Sequence, residues 1–157
     1  MYHRIRIFIA LVFFASDSFA TAVAGDEALA FATFIQSIIQ STQGVRGVTC
    51  TYGSDEISKT LLSKEKRVIN LNTDINKYTS CRAIYIARGR EKGLRVDIDK
   101  FNKKKILTIG AFDSFSEIGG MVQVQMGRRN FELILNSKLL KDSGIRLSPL
   151  ATELVIN

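Results

Sequence analysis

Few residues in this chain have both the type and the spacing that chemistry requires. Ser63-Lys64-Glu65-Lys66 has the S-x-x-K form of the serine–lysine pair in penicillin-recognising enzymes, but no Ser-Asp-Asn or Lys-Thr-Gly companion accompanies it. The match also falls where a polar helix end belongs. Asp97 and Asp99 stand two apart, so on a helix they point about 200° from one another and cannot work as a carboxylate pair. The turn in "VTCTYGSDE" (48–56) sits where an α/β fold binds phosphates, yet it holds one glycine and lacks GxGxxG. Nucleotide binding is set aside there. Lys103-Lys104-Lys105 and the Arg88–Arg95 cluster read as solvated basic faces.

The one histidine, His3, lies in a segment that reads as an export signal. Arg4 and Arg6 precede an apolar run from Ile7 to Ala15, and small residues follow, which is the order of a secretory signal peptide. Ala22-Val23-Ala24 fits the cleavage site, with Ser18-Phe19-Ala20 as the alternative. Residues 1–24 are therefore expected to be removed, leaving one domain over 25–157. The apolar run is too short to span about 30 Å of hydrocarbon, so no membrane-spanning segment is expected after cleavage. Without His3 no imidazole remains to act as base or metal ligand, which excludes Ser-His-Asp and Cys-His catalysis. Two cysteines without histidine also exclude a Cys/His zinc site. The expectation is no catalytic residue, no metal and no cofactor.

Loss of Arg4, Arg6 and Asp17 leaves the mature chain one unit below the +7 of the full sequence. In the cytosol that excess would point to nucleic acid. An exported basic domain instead meets anionic surfaces or acidic partner faces, so no nucleic acid is expected. In an oxidising compartment Cys50 and Cys81 read as one disulfide, with two buried free thiols as the alternative.

The elements that must position any site follow from periodicity. Asp26 and Glu27 open an amphipathic helix carrying Phe31, Phe34, Ile35, Ile38 and Ile39, and Gly44 ends it. "GVTCTYG" reads as a strand, Ser54 or Asp55 caps a helix with Ile57, Leu61 and Leu62 inside, and "RVINLN" (67–72) is a second strand. "CRAIYIA" (81–87) has the look of a buried parallel strand. Leu94, Ile98 and Phe101 form one helical stripe, and "KILTIGA" (105–111) is a fourth strand. A loop follows, then a hairpin of "MVQVQM" and "NFELIL" joined at Gly127. Asn136 or Ser137 caps a short helix closed by Gly144, and a tail with one more helical turn comes after Pro149. The fold class is α/β: a single domain with a mixed, mostly parallel sheet flanked by helices and a C-terminal antiparallel hairpin.

The loop in "IGAFDSFSEIGGMVQV" (109–124) is the stretch most open to function. Asp113 and Ser114 suit a turn, Phe115 and Ile118 can pin the loop to the body, and Gly119-Gly120 permit positive φ before Met121. It is either a structural reversal or a presented surface at the strand ends.

These residues resemble the YfiR-like periplasmic proteins. Leu107-Thr108-Ile109-Gly110 is similar to the family's LTIG/LTVG strand and Gly120-Met121 to its GGM. Asn136 and Gly144-Ile145-Arg146-Leu147-Ser148 are similar to its N-L…A-G-L-K-I-S. The resemblance places Cys50 and Cys81 where the family has a disulfide between its first and third strands. Phe131-Glu132 stand two residues earlier than the family's Phe-Glu, and no second cysteine pair is present. The resemblance implies a non-enzymatic regulator that binds the periplasmic sensor domain of an inner-membrane diguanylate cyclase and holds it inactive, release favouring biofilm. The expected partner is therefore a membrane-bound signalling protein, a cyclase or a sensor kinase, with a homodimer a further option. The expected docking face is the hairpin end and following helix: Glu132, Ile134, Leu140, Ile145 and Leu147. A small-ligand sensing module using the crevice near Tyr52, Gly53 and Arg88 is the alternative.

Overall fold

A computed structural model describes residues 17–44, 47–89, 93–128 and 130–148. The tail after Pro149 and the expected signal residues 1–16 lie outside these. Helix α1 spans Asp17–Ser41, β1 Val48–Tyr52, α2 Glu56–Lys64, β2 Val68–Asn70, β3 Cys81–Ile86, α3 Leu94–Lys103, β4 Leu107–Gly110, β5 Val122–Met126, β6 Phe131–Leu135 and α4 Ser137–Ser143. A short 3-10 helix, Ile75–Ser80, leads into β3. The sheet order is β2-β1-β3-β4-β5-β6, parallel throughout except for the antiparallel β5–β6 hairpin. Chain order reverses direction between β1 and β3. In open parallel sheets that switch point is where a crevice forms beyond the strand ends.

Two apolar cores lie on the two faces. Ala83, Tyr85 and Ala87 face one side with α1, Leu61 of α2, Leu107, Ile109 and Leu140. Ile84 and Ile86 face the other with Leu94, Ile98 and Phe101 of α3, and with Phe112 and Phe115. The alternation along β3 is what a strand buried on both faces requires. All five apolar residues expected on the inner face of α1 are buried. Phe131 of β6 stacks on Phe34 with ring centroids 4.5 Å apart and meets Phe31 edge-on at 4.9 Å, which anchors the hairpin to α1.

Helix α1 begins at Asp17 rather than at Asp26. The stretch "FATAVA" offers good helix formers and no proline, so helical propensity alone does not stop the turn at Gly25. The expected cleavage site thus lies within a continuous helix. At its other end, Gln43 exchanges two backbone hydrogen bonds with Arg146, joining the end of α1 to the segment after α4. Asn136 caps α4, accepting from the Leu139 N–H, and Gly144 closes it at φ 73°. Cys50 and Cys81 form a disulfide between adjacent strands, their Cα atoms 5.8 Å apart.

Candidate functional site

The loop between β4 and β5 is built from inside outward. Phe115 is fully buried, and its ring meets that of Phe112 in a T at 5.2 Å. A Cβ at Gly110 would lie 2.6 Å from this ring and one at Gly120 only 2.2 Å, so the ring occupies the space two side chains would need. Gly119 takes φ 107°; Gly120 does not have positive φ. That corrects the expectation of positive φ at both glycines. The first is required by backbone conformation and the second by contact with Phe115.

The loop is also fastened by hydrogen bonds. The Met121 N–H donates to Thr108 Oγ1 at 3.0 Å, Asn102 Nδ2 to the Gly119 carbonyl at 3.0 Å, and the Ser116 N–H to Gln123 Oε1 at 3.2 Å. Ser114, at φ 63°, accepts from the Glu117 and Ile118 amides. Asp113 is exposed, while Met121 is buried in the α1 core. These ties fasten the stretch as a tight crossover between the parallel strands β4 and β5.

One face of the hairpin it launches is covered by α1, and the other is covered by the loop at Gln123 but exposed along β6. Phe131, Leu133 and Leu135 turn toward α1, whereas Glu132 and Ile134 point away and are exposed, Ile134 at 40%. Gln125 Nε2 donates to Glu132 Oε2 at 2.9 Å across the strand pair. The rest of the expected docking face is differently placed. Leu140 and Ile145 are 8% and 3% exposed within the α1 core, and Leu147 packs against that core. They lie on the inward side because α4 turns Leu140 into this core, and the Gln43–Arg146 backbone pair holds the segment carrying Ile145 against the end of α1. Glu132 and Ile134 remain a surface; Leu140, Ile145 and Leu147 do not join them.

The crevice at the strand ends is divided in two. Tyr52 turns toward α3, its hydroxyl donating to Asp97 Oδ2 at 2.6 Å, beside a cleft of about 470 Å³ lined by Leu71, Asn72 and Asp74. Gly53 is held by Asn72, whose side chain accepts from its N–H and donates to its carbonyl. Its backbone amide is therefore already used. On the other face Arg88 borders a cleft of about 340 Å³ with Asp55 and Phe31. Asp55 caps α2 through the Ser58 N–H at 2.7 Å and accepts the Tyr85 hydroxyl at 2.8 Å on its other oxygen. Burial holds the Tyr85 phenol well above its usual range, and the Asp55 carboxylate adds to this through its charge and the hydrogen bond. Sequence reasoning identified Asp55 only as a cap; its link to Tyr85 needs the β1–β3 neighbourhood, which no local pattern encodes.

Ser63 of the S-x-x-K stretch donates to the Thr60 carbonyl at the exposed end of α2, with Lys64 and Lys66 exposed. Asp97 is engaged by Tyr52 and Lys100. Among the described residues no group of three His, Cys, Asp or Glu could hold a metal ion, and no helix is long and apolar enough to cross a membrane.

Sheet order and packing together define a three-layer α/β domain with a fastened β4–β5 crossover loop and an exposed outer edge on its hairpin. The chain belongs to the YfiR/HmsC-like family, whose model matches residues 28–154. No curated protein matches the sequence significantly. Among solved structures it resembles a conserved domain protein from Vibrio cholerae O1 biovar El Tor (TM-score 0.60, 11% identity, covering 82% of this chain and 59% of that one). It also resembles the ABC domain from Streptococcus pneumoniae solved in complex with L-Trp (TM-score 0.57, 12% identity, 82% and 60%). This chain thus spans about three-fifths of either structure, and the likeness is one of fold.

Proposed function

We propose that this protein is an exported, non-enzymatic regulator that binds the periplasmic sensor domain of an inner-membrane signalling protein and represses it. The signalling protein is a diguanylate cyclase or a sensor kinase. Family membership over 28–154 is the observation that carries this reading. The resemblance to YfiR-like proteins supplies the periplasmic location and the repressing role. The surface offered for contact is the outer face of β5–β6, with Ile134 as an apolar centre and Gln125 and Glu132 as its polar rim. An exposed apolar residue ringed by polar ones is the usual anatomy of a contact hot spot. The test is deletion of the gene with measurement of cyclic di-GMP and kinase output. Repression predicts a rise that the wild-type copy reverses.

A second reading is favoured by the Arg88 cleft. One cation, the acidic Glu27, Asp55 and Glu56, and the apolar Phe31 and Ile57 around about 340 Å³ suit a small zwitterionic solute. The Streptococcus structure carries L-Trp, which makes amino acids the first compounds to titrate. Thermal stabilisation by an amino acid, abolished in Arg88→Ala, would favour a sensing role.

A further inference from the structure

The lysines at the end of α3 are exposed, as their sequence suggested, and two of them also border a pocket. At the end of the sheet where β3 and β4 begin, Lys104, Lys105 and Arg82 line a pocket of about 490 Å³ with Thr79, Cys81 and Gly44. Three local features converge there. First, the β1–β3 register passes from Val48↔Cys81 to Thr49↔Ala83, so Arg82 is an extra residue bulged out of the ladder. Bulges re-aim a side chain. Second, Arg82 Nε is buried without a hydrogen-bond partner. Buried guanidinium donors are ordinarily matched by acceptors.

Third, Lys105 has φ 56°. It occupies the left-handed position after the last turn of α3, where the Ile106 N–H reaches back to the Phe101 carbonyl and glycine is the ordinary residue. The chain keeps a lysine at a backbone position that disfavours it. The negative end of α3 accounts for lysines near that helix terminus. It does not account for Arg82, which comes from β3.

Among the described residues no carboxylate lines the pocket, and the two ion pairs, Lys59–Glu56 and Lys100–Asp97, lie elsewhere. Three cations converging without a counter-charge favour an anion. We propose that this pocket binds a phosphate group, with Arg82 and Lys105 as the direct ligands and Lys104 at the rim. Guanidinium and ammonium donors together suit a tetrahedral oxyanion. The pocket, about 490 Å³, has room for a phosphate ester, whether a free solute or a lipid headgroup. The inference is independent of the repression reading.

The experiment measures calorimetric binding and melting temperature of the folded protein with inorganic phosphate and with glycerol phosphate. Sodium chloride at equal ionic strength is the control. Flotation with phosphatidylglycerol or phosphatidylcholine vesicles forms the second arm. Lys105→Gly is the decisive variant, because glycine accepts the left-handed backbone and the fold should be no less stable. Arg82→Gln is its companion. The proposal expects phosphate-specific binding that weakens at least tenfold in both variants. If only the soluble compounds show this, the ligand is a free phosphate; if only phosphatidylglycerol vesicles do, it is a headgroup. Binding no better than chloride in both arms, or binding retained in folded Lys105→Gly, would overturn it.

Discussion

Gly120 shows how a single residue can be misread locally and still be indispensable. Its φ makes no special demand; the constraint is the Phe115 ring, 2.2 Å from where a Cβ would be placed. Gly120→Ala and Gly120→Val should therefore each lower stability through overpacking, by about 1–3 kcal/mol or more. In Gly120→Ala combined with Phe115→Ala the two losses should be less than additive, because the clash disappears with the ring. Denaturant unfolding of the four proteins checks this, and strict additivity would refute the contact. Tyr85 gives a second residue-scale prediction. Its phenol is held protonated above the unfolded value of about 10, so its contribution to stability is complete below that pH. Above it the unfolded chain loses the proton first, and stability should fall by up to about 1.4 kcal/mol per pH unit. Tyr85→Phe should remove that part of the slope. Denaturation midpoints at pH 9, 10 and 11 for the two proteins would show it.

At the scale of elements, the disulfide fixes the two strands that flank the switch point. It closes a loop with a sequence separation of 31, and the chain-entropy account gives about 3.5–4 kcal/mol for such a loop. Mass mapping of the non-reduced protein should find the Cys50–Cys81 peptides linked, and reduction should lower the melting temperature. An unchanged melting temperature on reduction would contradict a structural role. The bond was legible from the cysteine count and the expected export signal together, and the resemblance placed it independently. The elements were legible too, because their apolar periods are strong: Leu94, Ile98 and Phe101 of α3 are all buried against the sheet. The N-terminus of α1 was not, since Asp26-Glu27 looks like a start and only the alanine-rich stretch before it argues otherwise. Nor could a local pattern show which way α4 faces. Leu140 and Ile145 looked like candidates for contact, and tertiary packing took them into the core.

For the whole molecule, the two ends of the sheet and its uncovered hairpin divide the surface into separate regions. The strand order that creates the β1–β3 switch point depends on long-range pairing, so the sequence indicated a parallel core without showing where its crevice would open. The same limitation hid the basic pocket, because Arg82 and Lys105 are distant in sequence and meet only through the β3–β4 neighbourhood. The regulatory reading rests on family membership, the hairpin face is the docking surface proposed for it, and the burial pattern supplies the controls. Leu140→Asp and Ile145→Asp should unfold the domain, since each would bury a charge in the core. Val96→Asp places the same charge at an exposed apolar residue of α3, outside the β5–β6 hairpin. The most direct test is cyclic di-GMP or kinase output in a deletion strain carrying wild type, Ile134→Asp or Val96→Asp, with abundance and melting temperature measured for each. The account predicts that all three are folded and abundant, that wild type and Val96→Asp restore repression, and that Ile134→Asp does not. Full repression by folded Ile134→Asp, or output that deletion leaves unchanged, would contradict it.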